Sequence, residues 1–123
     1  MKTDENNSNR RDDSLAMTLA EFNRRHDSLA LILAELEKAT RKFPKWPTDP
    51  LHALAVLGEE FGELTREMLH MAYEPSKTSH EAIRTEALQT AAMAFRLVMS
   101  LDLYQYKAQG QHPQHDDFRK KQN

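Results

Sequence analysis

Apolar residues recur at three- and four-residue intervals along residues 12–106, and no segment there alternates apolar and polar residues as a half-buried strand would. The chain of 123 residues also contains only three glycines. This pattern predicts an all-α fold. Residues 1–11 and 107–123 are polar and have almost no apolar content, so we expect them to form disordered tails on either side of one helical domain at 12–106.

The first helix is predicted to begin near Asp12 or Asp13 and to end at about Lys42. Its apolar residues alternate at four- and three-residue spacing, which is the heptad pattern of helices that pack along a seam. The seam consists of Leu15, Leu19, Phe22, His26, Leu29, Leu33, Leu36, Thr40 and Phe43. The segment RRDDSLAMTLAEFN is nearly repeated as RRHDSLALILAELE, which indicates a local duplication that lengthens one helix.

Three prolines within residues 44–50 end the first helix, because each removes a backbone donor and disfavours helix in the residue before it. Asp49 followed by Pro50 has the chemistry of an N-cap and a first helical position. We therefore predict a second helix from Pro50 to about Tyr73. The sequence EPSK at 74–77 then breaks the helix.

Thr78 and Glu81 have the spacing of a capping box, which predicts a third helix from there to about Tyr104. The only charged residue within 87–101 is Arg96. A helix that is apolar almost all round is buried on more than one side, so we expect this helix to lie at an interface between subunits. The predicted fold is a helical bundle, built from a long N-terminal helix and two core helices and completed by homo-oligomerisation as a dimer or tetramer.

The charge and composition argue against several classes of partner. The formal net charge is −2, whereas binding to nucleic acid or to an anionic membrane needs a basic surface. The sequence has no cysteine, no apolar run near the ~20 residues of a membrane span, and no signal-like segment. We expect a cytoplasmic protein that has neither a nucleic-acid nor a membrane partner.

Acidic residues concentrate on the second helix and at the start of the third. Glu59, Glu60 and Glu63 form an EExxE pattern, and Glu86 follows on the next helix. Carboxylates one helical turn apart point the same way, and oxygen ligands suit a hard divalent cation, so these residues are candidates for holding Mg²⁺. The alternative is a solvated acidic face, which arises by chance in a chain with 29% charged residues.

The run KFPKWPTDPLHALAVLGEEFGEL, with Glu86 following after 22 intervening residues, resembles the all-α nucleoside triphosphate pyrophosphohydrolases of the MazG type. Their hallmark is EExxE on one helix and ExxD on the next. The resemblance covers roughly Leu29–Leu103. It implies that Glu60, Glu63 and Glu86 bind Mg²⁺, with Mn²⁺ as a substitute. Gln89 stands where the family has its Asp, and its amide carbonyl offers an oxygen ligand without a charge.

The resemblance also implies the reaction, which is hydrolysis of a nucleoside triphosphate to a monophosphate and pyrophosphate. Glu59 and Glu63 are the candidate catalytic residues, the former as a base near the metal. Candidates for contacts with the substrate are Trp46, Lys45, Arg66 and Arg96. Trp46 could instead cover the core. Because Gln89 is neutral, the alternative function is that of a catalytically degenerate relative that binds nucleotide or acts in helical assembly.

Overall fold

The computed structural model describes residues 3–106, which form three α-helices and two short 3₁₀ turns. The helices are α1 (Thr3–Lys42), α2 (Pro50–Tyr73) and α3 (His80–Met99), and the turns are Pro75–Lys77 and Leu101–Leu103. No strand occurs within this range, so the predicted all-α fold is confirmed. None of the helices in this range is both long and apolar enough to cross a membrane. The predicted C-terminal tail, 107–123, lies outside the described residues.

Helix α3 is the centre of the fold. Both α1 and α2 pack against α3, whereas α1 and α2 do not contact each other within the described residues. Among the side chains that the structure describes, few are buried; they are Ala53 on α2, Ala92, Met93 and Arg96 on α3, and Tyr104 after α3. The predicted burial of α3 on more than one side is thus provided by two helices of its own chain. As a result, α1 and α2 form two walls of a groove whose floor is α3.

Helix α1 begins at Thr3, earlier than the predicted start at Asp12 or Asp13. No glycine or proline interrupts residues 3–42, so nothing in the sequence breaks the helix before Lys42. With 40 residues, α1 has twice the length of α3, which has 20. At most about half of α1 can therefore lie along α3, and the half-buried side chains of α1 show that this is its C-terminal part.

The burial of α1 follows from this mismatch in length. Side chains at 18–31 are exposed, and the first half-buried ones occur at Ile32, Glu35, Leu36 and Ala39. Of the predicted heptad seam, only Leu36 belongs to this contact. Phe43 of the seam lines the groove, and the remaining described seam residues face solvent within this chain.

Helix α2 has the predicted boundaries. The carboxylate of Asp49 caps its N-terminus by accepting the backbone N–H of His52 at 2.8 Å, and Pro50 occupies the first turn. The helix ends at Tyr73, immediately before the break at 74–77.

Helix α3 differs from the prediction at both ends. Ser79, not Thr78, is the N-cap, and its hydroxyl accepts the backbone N–H of Ala82 at 3.1 Å. The predicted capping box is therefore wrong. Thr78 is extended, and its hydroxyl donates instead to Glu67 on α2. The helix ends at Met99, short of the predicted end at Tyr104, because the chain turns into a 3₁₀ segment.

The segment after α3 folds back onto the connector between α1 and α2. The hydroxyl of Tyr104 donates to the carbonyl of Leu97 at 3.3 Å and accepts the indole N–H of Trp46 at 3.0 Å. The backbone N–H of Gln105 donates to the carbonyl of Thr48 at 2.9 Å. These bonds hold the proline-rich connector at one end of the groove.

Candidate metal centre and adjoining groove

Three of the predicted ligands come together where α2 faces α3. Glu60 and Glu63 lie one turn apart on α2, and Glu86 lies on the first half of α3. Each offers a carboxylate oxygen, and the three oxygens lie within 4.8 Å of one another. All three side chains are half-buried. We call these residues the Glu60–Glu63–Glu86 cluster.

The cluster is electrostatically unfavourable without a cation. Burial raises the pKa of Glu60, and the negative charges of Glu63 and Glu86 raise that pKa further. Burial also raises the pKa of Glu86, with the charge of Glu63 as the next largest cause. One oxygen of Glu60 and one of Glu86 are buried without a hydrogen-bond partner among the described residues. A divalent cation with oxygen ligands would satisfy both oxygens and offset the repulsion, so the residues present fit such an ion.

The groove between α1 and α2 contains a cavity of about 580 Å³, which is the size of a small-molecule site. Its lining includes the carboxylates of Glu59 and Glu60 from α2 and of Glu35 from α1. The lining also includes basic and aromatic residues, namely Lys38, Lys42, Phe43, Lys45 and Trp46. The cavity therefore brings carboxylates, lysines and aromatic rings to one space, and Glu60 is the residue that it shares with the Glu60–Glu63–Glu86 cluster.

Glu35 and Lys38 are functional candidates that the sequence did not single out. Both line the cavity from α1, and the charge of Glu35 contributes to the raised pKa of Glu60. Together with Lys42, they recur at three- and four-residue spacing and so share one face of α1. That spacing was a usable signal. The part of the chain that this face meets was not evident from the sequence.

Two other predicted residues also line the cavity. Gln89 is half-buried on α3, one turn after Glu86, and it borders the cavity beside Glu60. Glu59 is exposed and also lines the cavity. Their roles as metal ligand and base remain predictions, as does the contact of Lys45 with substrate.

Arg96 forms the floor of the groove beneath the connector and is only 7% exposed. Its guanidinium donates to the carbonyl of Phe43 at 2.8 Å and lies 4.8 Å from the centre of the Trp46 ring. Burial lowers the pKa of this guanidinium. These contacts show that Arg96 positions the connector, and a contact with substrate remains a prediction.

Arg66 and Glu67 lie away from the cavity. Arg66 is mostly exposed and its nearest charged partner is Glu67, at 3.7 Å. The carboxylate of Glu67 accepts the hydroxyl of Thr78 and lies 3.9 Å from Nδ1 of His70. Glu67 therefore links the end of α2 to the start of α3, while its charge adds to the raised pKa of Glu86. Arg66 is not among the residues that line the cavity, but its positive charge acts to lower the pKa of Glu86, and its contact with substrate remains a prediction.

No family model, curated protein or solved structure matches this chain. The observations that bear on function are therefore the Glu60–Glu63–Glu86 cluster and the groove beside it.

Proposed function

We propose that the protein is a Mg²⁺-dependent nucleotide pyrophosphohydrolase, which cleaves a nucleoside triphosphate to a monophosphate and pyrophosphate. The observation that carries the proposal is the meeting of three half-buried carboxylates, one of which, Glu60, also lines a cavity that basic and aromatic residues share. A nucleoside triphosphate with a bound divalent cation has the matching groups, since it combines an aromatic base, anionic phosphates and a metal.

In this proposal, Glu60, Glu63 and Glu86 bind the metal, with Gln89 as a fourth, neutral ligand. Mg²⁺ is the expected ion and Mn²⁺ a substitute. The bound ion would neutralise charge on the phosphates and help to orient the attacking water. The carboxylates contribute by holding the ion at the wall of the groove instead of in bulk solvent.

Glu59 is the proposed general base. Glu59 is exposed, lines the cavity and is adjacent in sequence to the proposed metal ligand Glu60. When the oxygen of water bonds to the α-phosphorus and the bond to the bridging oxygen breaks, one proton of the water passes to Glu59 and pyrophosphate leaves. Glu63 takes part through the metal that it binds.

The lysines and the tryptophan that line the cavity form the proposed site for the phosphates and the base. Lys38, Lys42 and Lys45 supply ammonium groups, and such groups bind phosphate as point charges. Trp46 has one ring face toward Arg96 and can stack a nucleobase on the remaining surface.

A second candidate function rests on Gln89. A neutral amide contributes no charge to the metal shell, so a relative that binds nucleotide without turnover, or that serves in helical assembly, fits the same cluster. The two candidates differ in the behaviour of the wild-type protein with substrate.

The test is a screen of nucleoside triphosphates for Mg²⁺-dependent release of pyrophosphate. If the proposal holds, Glu63→Gln reduces release by at least about 100-fold, because it weakens metal binding, and Gln89→Asp leaves release unchanged or raises it. Glu81→Gln is the matched control, since Glu81 is an exposed carboxylate on α3 outside the cluster. Release equal in wild type and Glu63→Gln would contradict the proposal.

A calorimetric titration with Mn²⁺ distinguishes the remaining outcomes. Binding that is lost in the triple variant Glu60→Gln, Glu63→Gln, Glu86→Gln establishes the metal centre independently of turnover. A wild-type protein that binds Mn²⁺ and nucleotide but releases pyrophosphate only after Gln89→Asp is the degenerate relative. Identical titrations of wild type and triple variant would show that the carboxylates are a solvated face.

A further inference from the structure

Helix α2 has a second apolar face, on the side that does not pack against α3. At about 100° per residue, the large side chains Leu51, Leu54, Phe61, Met68 and Leu69 fall on this side, and each is at least 53% exposed. Gly58 and Gly62 lie among them, one turn apart. We call these seven residues the outer α2 face.

Nothing in the described part of the chain covers the outer α2 face. Helix α2 contacts α3 and the 3₁₀ turn that follows it, but not α1. A Cβ atom placed on Gly58 or Gly62 would have no neighbour within 4 Å. No charged residue lies within the outer α2 face, because the charged side chains of α2 lie toward α3 or along the narrow stripe of Glu59 and Arg66. A partner that covers the outer α2 face would therefore not bury an unpaired charge.

We propose that the outer α2 face binds the same face of a second copy, with the two α2 helices antiparallel and a two-fold axis between Phe61 and Gly62. Under this two-fold symmetry, a residue that lies before the axis in one helix faces the residue that lies equally far after the axis in the other helix. This register puts Phe61 of one copy over Gly62 of the other, so that a large side chain fills the space that the glycine leaves. It also puts Leu54 of one copy over Leu69 of the other.

The exposed area of the outer α2 face suits a stable dimer. Five large apolar side chains, each able to remove on the order of 100 Å² from water, provide most of the roughly 800 Å² per partner that specific interfaces bury. Apolar burial within one chain is small, because Ala53, Ala92, Met93 and Tyr104 are the only buried apolar residues among the side chains that the structure describes. A second copy would supply apolar contacts that the single chain lacks.

The proposed interface leaves the groove open. Glu60 and Glu63 project from the opposite side of α2, toward α3, so the pairing of outer α2 faces buries neither the Glu60–Glu63–Glu86 cluster nor the cavity. The inference therefore does not depend on the proposed function. It can hold whether or not the protein hydrolyses nucleotides.

The first test is the mass of the full chain in solution. Sedimentation equilibrium at micromolar concentration should give about 29 kDa, twice the 14.3 kDa of one chain. Phe61→Glu should reduce the mass to that of one chain, because it places a charge at the centre of the interface. Thr85→Glu is the control, since it adds the same charge to an exposed position on α3 and should remain dimeric. A folded wild-type monomer, or a dimer that Phe61→Glu does not weaken, would overturn the proposal.

The second test uses disulfides and does not depend on the folding of Phe61→Glu. The chain has no cysteine, so introduced thiols are the only ones present. In the double variant Leu54→Cys, Leu69→Cys, the two thiols of one chain are about 22 Å apart along α2 and cannot pair with each other. On mild oxidation, the antiparallel register gives covalent dimers of the double variant, whereas Leu54→Cys alone gives none. Equal cross-linking of the single variant would indicate parallel helices, and no cross-linking of either variant would exclude the interface.

Discussion

The Glu60–Glu63–Glu86 cluster has a predictable effect on the pH dependence of stability. The pKa values of Glu60 and Glu86 are raised above their ordinary value of 4.5. The folded state therefore binds more protons than the unfolded state as pH rises from 4.5 through the folded-state pKa values. In the absence of metal, these two groups favour folding most below pH 4.5, and that contribution is lost as pH rises through the window.

We predict that Glu60→Gln stabilises the metal-free protein at neutral pH, because it removes one negative charge from the cluster. The midpoint of thermal unfolding, measured with a chelator present, should rise by a few degrees at pH 7.5, and less near pH 4.5. Added Mn²⁺ should raise the midpoint of the wild type and have little effect on the variant. A lower midpoint for metal-free Glu60→Gln at pH 7.5, with Glu81→Gln unchanged, would contradict the prediction.

At the level of residues, local spacing accounts for what the sequence could predict. Glu60 and Glu63 share a helix face because they lie one turn apart, and their proximity to Glu86 follows once α2 packs on α3. Glu35 and Lys38 could not be placed in the same way. Their position in the groove depends on how α1 docks on α3, and the periodicity of α1 defines a face without identifying what that face meets.

The N-terminus of α3 allows a direct test of the capping assignment. Ser79→Ala should lower the free energy of unfolding by about 1 kcal/mol, because the backbone N–H of Ala82 loses its acceptor. Ser79→Asp should retain most of the stability. Urea denaturation measures both changes. If Thr78 were the cap, Ser79→Ala would be nearly neutral.

A second prediction concerns the contact between α3 and the connector. Arg96→Lys should lower the free energy of unfolding by about 1–3 kcal/mol, since a lysine cannot both donate to the Phe43 carbonyl in the same geometry and stack on Trp46. Arg84→Lys is the control, because Arg84 is exposed on α3. Similar denaturation curves for both variants would show that Arg96 does not hold the connector.

The ends of the helices show where sequence reasoning succeeds and where it does not. The start of α2 was predictable because Asp49 is a favoured N-cap residue and Pro50 is favoured at the first helical position. At α3, Thr78 and Ser79 are adjacent residues with similar capping chemistry, and the choice is made by the hydrogen bond from Thr78 to Glu67, which lies 11 positions earlier in the chain. A local motif cannot include that contact.

For the whole molecule, the sequence predicted the fold class but not the arrangement of the helices. The apolar character of 87–101 correctly indicated that α3 is buried on more than one side. Both α1 and α2 pack against α3, yet Val98 and Met99 of α3 remain exposed in the single chain, so the expectation that a second subunit covers α3 stays a prediction. Uncovered apolar surface also lies on α2 and on α1, since periodicity gives the number of apolar faces and tertiary packing decides which of them remain free.

The chain has a single tryptophan, and that residue lines the groove. Trp46 donates to Tyr104 and lies beside the Arg96 guanidinium. Its fluorescence should therefore respond both to the position of the connector and to a ligand in the cavity. All tryptophan emission of the protein comes from this one residue, so no correction for a second tryptophan is needed. A nucleobase that stacks on Trp46 should quench this emission in proportion to occupancy, which gives a binding isotherm for the unlabelled protein without any turnover.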